Sequence, residues 1–505
     1  MLQLHFNFRL SSVRILSLAL LPMFAFSCIK DTHSIEGGSL SETIPSPGHD
    51  AIVLGKTVSD PFSLENMQKA CNSLGHERVL SPTHLYVRFM PSSPDDLSGI
   101  NSLGVPVFDH PLDRIIDTEG DYYTDPSPVS TLYTWLYAVV DVRSSLPENL
   151  TYEILYECFI SPYYSITGEK TITWKDMVEE SFRLTGLSKG KAPLSWSTPS
   201  GTLSVKGASA GEKDAPLQGV RVVMSKFTLV SFAMTDEKGG FCSDVPLPGN
   251  IRCRVDFTDG ENSIGISESK ALASSHTLGW SGDERGSFSI GADSGVRTLR
   301  RSAAALALKD YMTFIEREGL SSVNLPEGYS LRLMSGLDSE GMPLMSGRGM
   351  LVLSGLMNEY LPGGESSVTA YSADAVLGDK CGKNIKEAYA DAAFMISASG
   401  LYSLLGPSYW GRSLTSGMKS ELYGGTSSSY GQSDDVIRMW SSFLAGILYE
   451  ERFERSAPRS SDDEDMLLFL PSVHEKGVSP EEILSVISWR TTTSEDLMSA
   501  LGDKI

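Results

Sequence analysis

The chain has 505 residues, enough for two to four domains, and 41% of them are hydrophobic, which allows sizeable cores. Its 63 acidic and 42 basic side chains give a formal net charge of −21. The acidity is spread along the chain and no basic cluster stands out, which excludes the Lys/Arg patch that a nucleic-acid partner requires.

The N-terminus has the form of a targeting segment. Arg9 and Arg14 precede the apolar run Ile15–Phe26, and Ala25-Phe26-Ser27-Cys28 closes it. About twelve apolar residues are too few to span a bilayer. Small residues before a cysteine resemble a lipoprotein processing site. That resemblance implies a signal peptide over residues 1–27 and Cys28 as the lipidated first residue. A plain signal peptide and a short membrane anchor are the alternatives. Ile29-Lys30-Asp31 resembles an export tag for the outer cell surface. No later stretch is apolar for long enough to cross a membrane, so the lipid would be the only anchor. The expected location is the cell envelope, on the outer membrane.

Residues 28–60 read as a polar tether, with Gly37-Gly38 and Pro45-Ser46-Pro47-Gly48. Residues 61–192 read as a small N-terminal α/β domain with a connecting helix. Ser63 caps a helix over Leu64–Leu74, and His84–Phe89 is rich in strand formers. Thr131–Val142 and Tyr152–Tyr164 are further strand candidates. Trp174–Leu184 has helical spacing and closes at Gly186. His84 and His110 read as surface or packing residues, because no His or Cys partner stands at ligand spacing.

Residues 193–290 form the clearest all-β region, with turns at Pro199-Ser200-Gly201, Pro216–Gly219, Asp236–Gly239 and Pro248-Gly249-Asn250. In Gly219-Val220-Arg221-Val222-Val223, Val220 and Val222 alternate into a core. In Thr235-Asp236-x-x-Gly239-x-Phe241, Asp236 and Gly239 make a hairpin turn and Phe241 returns inward. This signature resembles a carboxypeptidase-regulatory-like β-sandwich, which implies a fold but no ligand. With Cys28 lipidated, five cysteines remain, and an odd number argues against a full disulfide framework. Cys242 and Cys253 are the one candidate pair, since they flank Pro246-Leu247-Pro248-Gly249 at mirrored positions.

Residues 291–505 read as mainly helical. Val296–Glu318 is a long Ala-rich helix, followed by strand candidates Tyr329–Met334 and Gly349–Leu353. In Ile385–Leu404 the residues Ile385, Ala388, Tyr389, Ala392, Met395, Ile396, Ser399 and Tyr402 give one buried helical face. Gly406-Pro407 stops this helix and Tyr409-Trp410 follows. A Gly/Ser loop runs from Gly424 to Gln432, and a second helix opens near Ser433-Asp434-Asp435, carrying Trp440, Phe443, Leu444, Ile447 and Leu448 inward. Arg459–Asp465 is an acidic break. Ser479-Pro480-Glu481-Glu482 opens a helix through Trp489, and Ser494-Glu495-Asp496 opens the last one.

The stretch from Ile385 to Trp440 resembles the zinc-binding half of a gluzincin-type metallopeptidase domain, as carried by certain secreted bacterial lipoproteins. There, His-Glu-x-x-His is followed by small residues and a Tyr, then a Gly-x-x-Tyr-Trp turn, then Glu-x-Trp on a later helix. Here the frame reads Phe394-Met395-Ile396-Ser397-Ala398-Ser399-Gly400-Leu401-Tyr402, the turn is Gly406-Pro407-Ser408-Tyr409-Trp410, and the triplet is Arg438-Met439-Trp440. Leu85–Pro91 and Asp109–Asp113 resemble the N-terminal part of the same lipoproteins. The resemblance implies that Phe394 and Ala398 stand where two His ligands would be, Met395 where the general base would be, and Arg438 where the third ligand would be. Phe and Ala have no side-chain donor, and arginine is a permanent cation. None of the eight histidines lies between Ile385 and Trp440, so a slipped frame restores nothing. The implied fold is multidomain α+β: a small N-terminal α/β domain, an all-β sandwich and a mainly helical zincin-like domain lacking metal ligands. Two ordinary core helices are the plain alternative.

Other patterns carry less. Gly186-Leu187-Ser188-Lys189-Gly190 has nucleophile-elbow spacing, but a helix precedes it where a strand is required. Ser416-x-x-Lys419 lacks a Lys-Thr-Gly partner. Glu387 and Asp391 read as a solvated helix edge near the replaced ligands. The expected function is a non-catalytic envelope lipoprotein, membrane-bound through its lipid, that needs no cofactor and binds a peptide, protein or glycan. A hydrolase with an unrecognised site and a structural adhesin subunit are the alternatives.

Overall fold

The structure, a computed structural model, describes residues 51–120, 122–123, 134–167, 171–188, 193–258, 262–266, 275–278, 285–333, 340–345, 373–422, 432–457, 464–491 and 493–502. The signal segment, Cys28, most of the tether, the expected strand Gly349–Leu353 and the loop from Gly424 lie outside the described residues. Ile44–Ile505 gathers into one compact unit. Strands and sheets fill its N-terminal part and helices dominate the C-terminal part.

Strand β1 (Val53–Thr57) pairs antiparallel with β4 (Arg114–Thr118). Helix α1 (Leu64–Ser73) starts where expected, with the Ser63 hydroxyl accepting the Asn66 N–H at 3.3 Å. Four strands form a sheet in the order β3-β5-β2-β6: β2 (His84–Met90), β3 (Val107–Phe108), β5 (Leu136–Asp141) and β6 (Thr151–Cys158). Every pairing in it is antiparallel, so this region is not built from parallel βαβ units. Alternation sends Val87 and Phe89 to one face, where they meet Ile100 of α2 (Pro94–Asn101), and Tyr86 to the other, with Tyr137 and Cys158. The short strands β7 (Ser165–Ile166) and β8 (Ile172–Thr173) lead to α3 (Trp174–Leu184), which Thr173 and Asp176 start as a capping box and Gly186 closes at φ 73°.

The all-β region holds two four-stranded sheets. In one, β10 (Ser200–Val205) pairs with β11 (Ala215–Pro216), β14 (Gly240–Cys242) and, in parallel, β19 (Arg285–Ile290). The other runs β13-β12-β16-β18: β12 (Arg221–Lys226), β13 (Leu229–Met234), β16 (Arg252–Asp256) and β18 (Ser275–Leu278). Strands β9 (Trp196–Ser197) and β15 (Leu247–Pro248) pair with each other. Leu203, Val205 and Phe241 of one sheet share a core with Val222, Met224, Cys253 and Val255 of the other. The Asp236–Gly239 turn forms, with Asp236 Oδ1 accepting the Lys238 and Gly240 N–H groups at 2.8 and 2.7 Å. It is not a hairpin, however, because it carries the chain from β13 in one sheet to β14 in the other. A second crossing, from β14 back to β16, separates Cys242 from Cys253. Both are thiols rather than a bridge, Cys242 exposed on β14 and Cys253 fully buried in β16.

Strand β12 is buried on both faces, because Val223 packs against Tyr86, Phe108 and Tyr137 of the N-terminal sheet. Charge fills this contact. Arg254 stacks on Phe108 at 4.0 Å and pairs with Asp256 at 3.1 Å, and Arg221 pairs with Asp256 at 3.3 Å. Arg252 pairs with Glu119 at 2.9 Å, beside the His110–Asp109 pair at 2.9 Å. His110 is thus a buried member of a charge network and not a surface residue. Burial holds its imidazole below the usual range.

β17 (Ser263–Ile266) leaves the all-β region and joins β20 (Ser330–Leu333), β22 (Ala375–Leu377) and β21 (Gly341–Met342) in the order β17-β20-β22-β21. The first three are parallel and β21 is an antiparallel edge. Ile264, Leu331, Leu333, Ala375 and Leu377 share a core with α4 (Val296–Arg317) and α5 (Ile385–Leu422). α6 (Gln432–Phe453) follows. α7 (Glu464–Glu475) fills part of what reads as an acidic break. α8 (Pro480–Leu484) has its expected cap but stops short of Trp489, which is exposed. α9 (Ser494–Gly502) is as expected. Among the described residues no helix is long and apolar enough to cross a membrane.

Asp60 joins the N-terminal region to the all-β region. Its buried carboxyl accepts the Phe62 N–H at 3.0 Å, the Tyr156 hydroxyl at 2.9 Å and the Thr228 hydroxyl at 2.5 Å. Burial pushes its pKa up to about 6, although the three donors oppose the shift. A raised carboxyl favours the fold when protonated, so its contribution is full below the unfolded value near 4 and is lost as pH rises through about 6. Asp60→Asn is expected to remove this dependence, up to about 3 kcal/mol, from urea-unfolding curves between pH 4 and 8.

Candidate functional site

α5 begins after Asn384, whose side chain accepts the Lys386 and Glu387 N–H groups at 3.1 and 3.0 Å. One turn in, the Tyr389 hydroxyl donates to Asp310 of α4 at 2.6 Å and lies 3.4 Å from the Leu448 carbonyl of α6. Arg452 of α6 completes the junction, its Nε and Nη2 donating to the two oxygens of Asp310, and lies 5.5 Å over the Tyr389 ring. Burial raises the Tyr389 pKa well above the usual phenol range, so the hydroxyl remains a donor. Farther along α5 the backbone approaches α4 closely. A Cβ on Gly400 would collide with the Tyr311 hydroxyl and with the Val323 carbonyl oxygen, which are already joined at 2.6 Å.

The helix breaks where expected, at Gly406 (φ 77°), and a second helical segment starts at Pro407. Within it the Trp410 indole N–H donates to the Pro343 carbonyl beyond β21 at 2.9 Å, and Tyr409 donates to Thr491 at 3.2 Å. Ser494, close to Thr491 in sequence, reaches Asp435 at the start of α6. The N-terminal part of α5 therefore meets the end of α6, and the later part lies near its start. The two helices run antiparallel.

This pairing places the four residues that the metallopeptidase resemblance singles out. Met395 is buried against the edge strand, where a Cβ on Gly341 would lie 3.1 Å from its Cε. Phe394 is half-buried and Ala398 fully buried. Arg438 is half-buried and stands eleven residues, about three turns, before Tyr449, whose ring packs 6.3 Å from Tyr389. Arg438 therefore lies on the α6 stripe that faces α5. Antiparallel counting from the Tyr389–Tyr449 contact brings Ala398 level with Trp440, within a turn of Arg438.

Asp391 shares a helical face with Phe394, Met395 and Ala398. It is not a solvated edge. Its carboxylate accepts the Gly382 N–H at 2.8 Å, and burial pushes its pKa up to about 6, with Glu340 adding to the rise and the Cys381 thiol opposing it. Arg300 of α4 holds the same loop through the carbonyls of Gly378, Asp379, Cys381 and Gly382. Glu387 is exposed, as expected.

The remaining sequence candidates do not converge on this face. His84 touches Thr83, and Ser188 follows the end of α3 with no elbow. Cys28 and the side chains of Ser416 and Lys419 lie outside the described residues. Among the described residues, no group of three or more His, Cys, Asp or Glu is placed to hold a metal ion. Comparison with known proteins finds no matching family model, no similar curated protein and no similar solved structure.

Sequence reasoning counted Tyr389 as an apolar core residue and passed over Asp310 and Arg452. The available signal was a carboxylate and an arginine inside otherwise apolar helical stripes. Asp310→Leu is expected to cost about 3 kcal/mol or more in urea unfolding, since it strands a buried guanidinium, while Asp310→Leu with Arg452→Met costs less than the sum of the single variants. Gly400→Ala is expected to lower the melting temperature by several degrees, about 2 kcal/mol, and Tyr311→Phe in the same chain to recover part of that loss, because it removes one colliding atom.

Proposed function

We propose that this chain is a non-catalytic, lipid-anchored cell-envelope protein whose α4–sheet–α5–α6 region is a metallopeptidase-like scaffold without metal ligands. The observation that carries the reading is the set Phe394, Met395, Ala398 and Arg438 on the facing parts of α5 and α6, framed by Tyr402, Gly406, Tyr409, Trp410 and Trp440. A tetrahedral zinc needs about three N, S or O donors, and this set offers only the weak thioether sulfur of Met395. A small sheet ahead of α5, two antiparallel helices and the Trp410 contact to the sheet edge agree with the layout that the motif residues imply. The two sheets of the all-β region are read as a carboxypeptidase-regulatory-like sandwich. Met395 and Ala398 give the face an apolar floor and Arg438 a cation at its rim, which suits a peptide, protein or glycan carrying a carboxylate.

Two measurements test this. The purified chain is expected to retain no stoichiometric zinc after dialysis and to leave casein uncut, with or without chelator. One tightly held zinc per chain, or chelator-sensitive cleavage, overturns the reading. Phe394→His, Met395→Glu, Ala398→His and Arg438→Glu introduced together are expected to create a site for about one zinc per chain. A folded quadruple variant that gains no zinc shows that α5 and α6 do not share the metallopeptidase frame.

A further inference from the structure

The parallel sheet has two unlike faces. Leu331 and Leu333 of β20 turn toward the helices and enter the common core. Ser330 and Arg332 alternate to the other face, yet they are buried too, at 6% and 8% exposure. Solvent therefore does not satisfy them. The Ser330 hydroxyl has no hydrogen-bond partner, and neither do Nε and Nη1 of Arg332. Arg332 makes one weak hydrogen bond, Nη2 to Ser263 Oγ at 3.4 Å.

The charge is similarly incomplete. Burial pushes the Arg332 guanidinium down to about 10, with Asp374 partly offsetting this, so it is still a cation at neutral pH. Among the described residues no carboxylate reaches ion-pair distance of it. Asp374, the acid whose charge acts on Arg332, accepts the Ser330 backbone N–H at 2.9 Å. A buried cation with most of its donors unused is costly, and folds seldom keep one without a counter-charge. The strand register sets short neighbours beside it. Val376 stands beside Arg332 on β22 and Gly265 on β17, so the neighbours are one short apolar side chain and no side chain at all.

We propose that Ser330 and Arg332 form a binding site for a small carboxylate on the face of the sheet turned away from α4 and α5. The planar guanidinium matches the two oxygens of a carboxylate, and Ser330, two residues away on the same strand at roughly 7 Å, supplies a hydroxyl donor to the same group. The site uses no residue of the α5–α6 face and stands apart from the reading of that face.

The test uses the full chain at pH 7.5 and constant ionic strength, with sodium acetate, succinate or phosphate replacing chloride. Melting temperature and calorimetric titration are read together. Acetate or succinate is expected to raise the melting temperature with a saturable dose response. Arg332→Gln is expected to abolish the rise. Ser330→Ala, which removes a hydroxyl that bonds to nothing in the fold, is expected to leave folding intact and weaken binding about tenfold. No response to any carboxylate, a response to phosphate alone, or an undiminished response in Ser330→Ala overturns the proposal. The Ser330 variant decides the matter even where Arg332→Gln does not fold.

Discussion

The helical half of the molecule depends on one junction, the Tyr389 hydroxyl and the Arg452 guanidinium converging on Asp310. Each of the three helices contributes one member. A tyrosine buried in a helical core needs an acceptor, a buried carboxylate needs donors and a counter-charge, and a buried arginine needs both. The three requirements cancel only when α4, α5 and α6 sit at one relative height, which gives the packing a register that apolar contact alone does not supply. Arg452 also donates to the Ala208 carbonyl at 3.2 Å, so the junction ties the helices to the all-β region.

The same logic recurs between the N-terminal sheet and β12–β16. Arg221, Arg252 and Arg254 meet Asp256, Glu119 and Asp109 in a largely buried contact with equal numbers of each sign. An apolar contact would hold two sheets face to face with little preference among registers. Paired charges penalise every register but one, since a misaligned arginine is left desolvated and alone. β17 adds a covalent version of this coupling, because the chain leaves the all-β region to build one strand of the C-terminal sheet and then returns.

Against these paired charges, the unpaired groups are informative. Ser330 and Arg332 are nearly as deeply buried as Arg254, but among the described residues Arg332 lacks the ion pair that Arg254 has with Asp256, and the Ser330 hydroxyl has no partner. The α5–α6 face is the reverse case. Its key positions hold Phe394, Met395 and Ala398, which ask for no partner, so packing closes it without chemistry.

The sequence by itself determined the local elements. Helix α1 with its Ser63 cap, strand β2, helix α3 ending at Gly186 and the break at Gly406-Pro407 follow from spacing, capping and turn chemistry, all of which act within a few residues. It also determined the side-chain chemistry at Phe394, Met395, Ala398 and Arg438, because a residue's donor capacity is independent of the fold. Only the tertiary structure decided what stands opposite what. The mirrored spacing of Cys242 and Cys253 suggested a bridge, but the chain crosses between sheets there, a choice made by which edges find hydrogen-bond partners across long sequence separations. Likewise a Ser-Leu-Arg-Leu strand reads as half-solvated, with Ser330 and Arg332 facing water. Their burial, and the unmet demand it creates, arises from how the rest of the molecule encloses that face, and no local pattern encodes it.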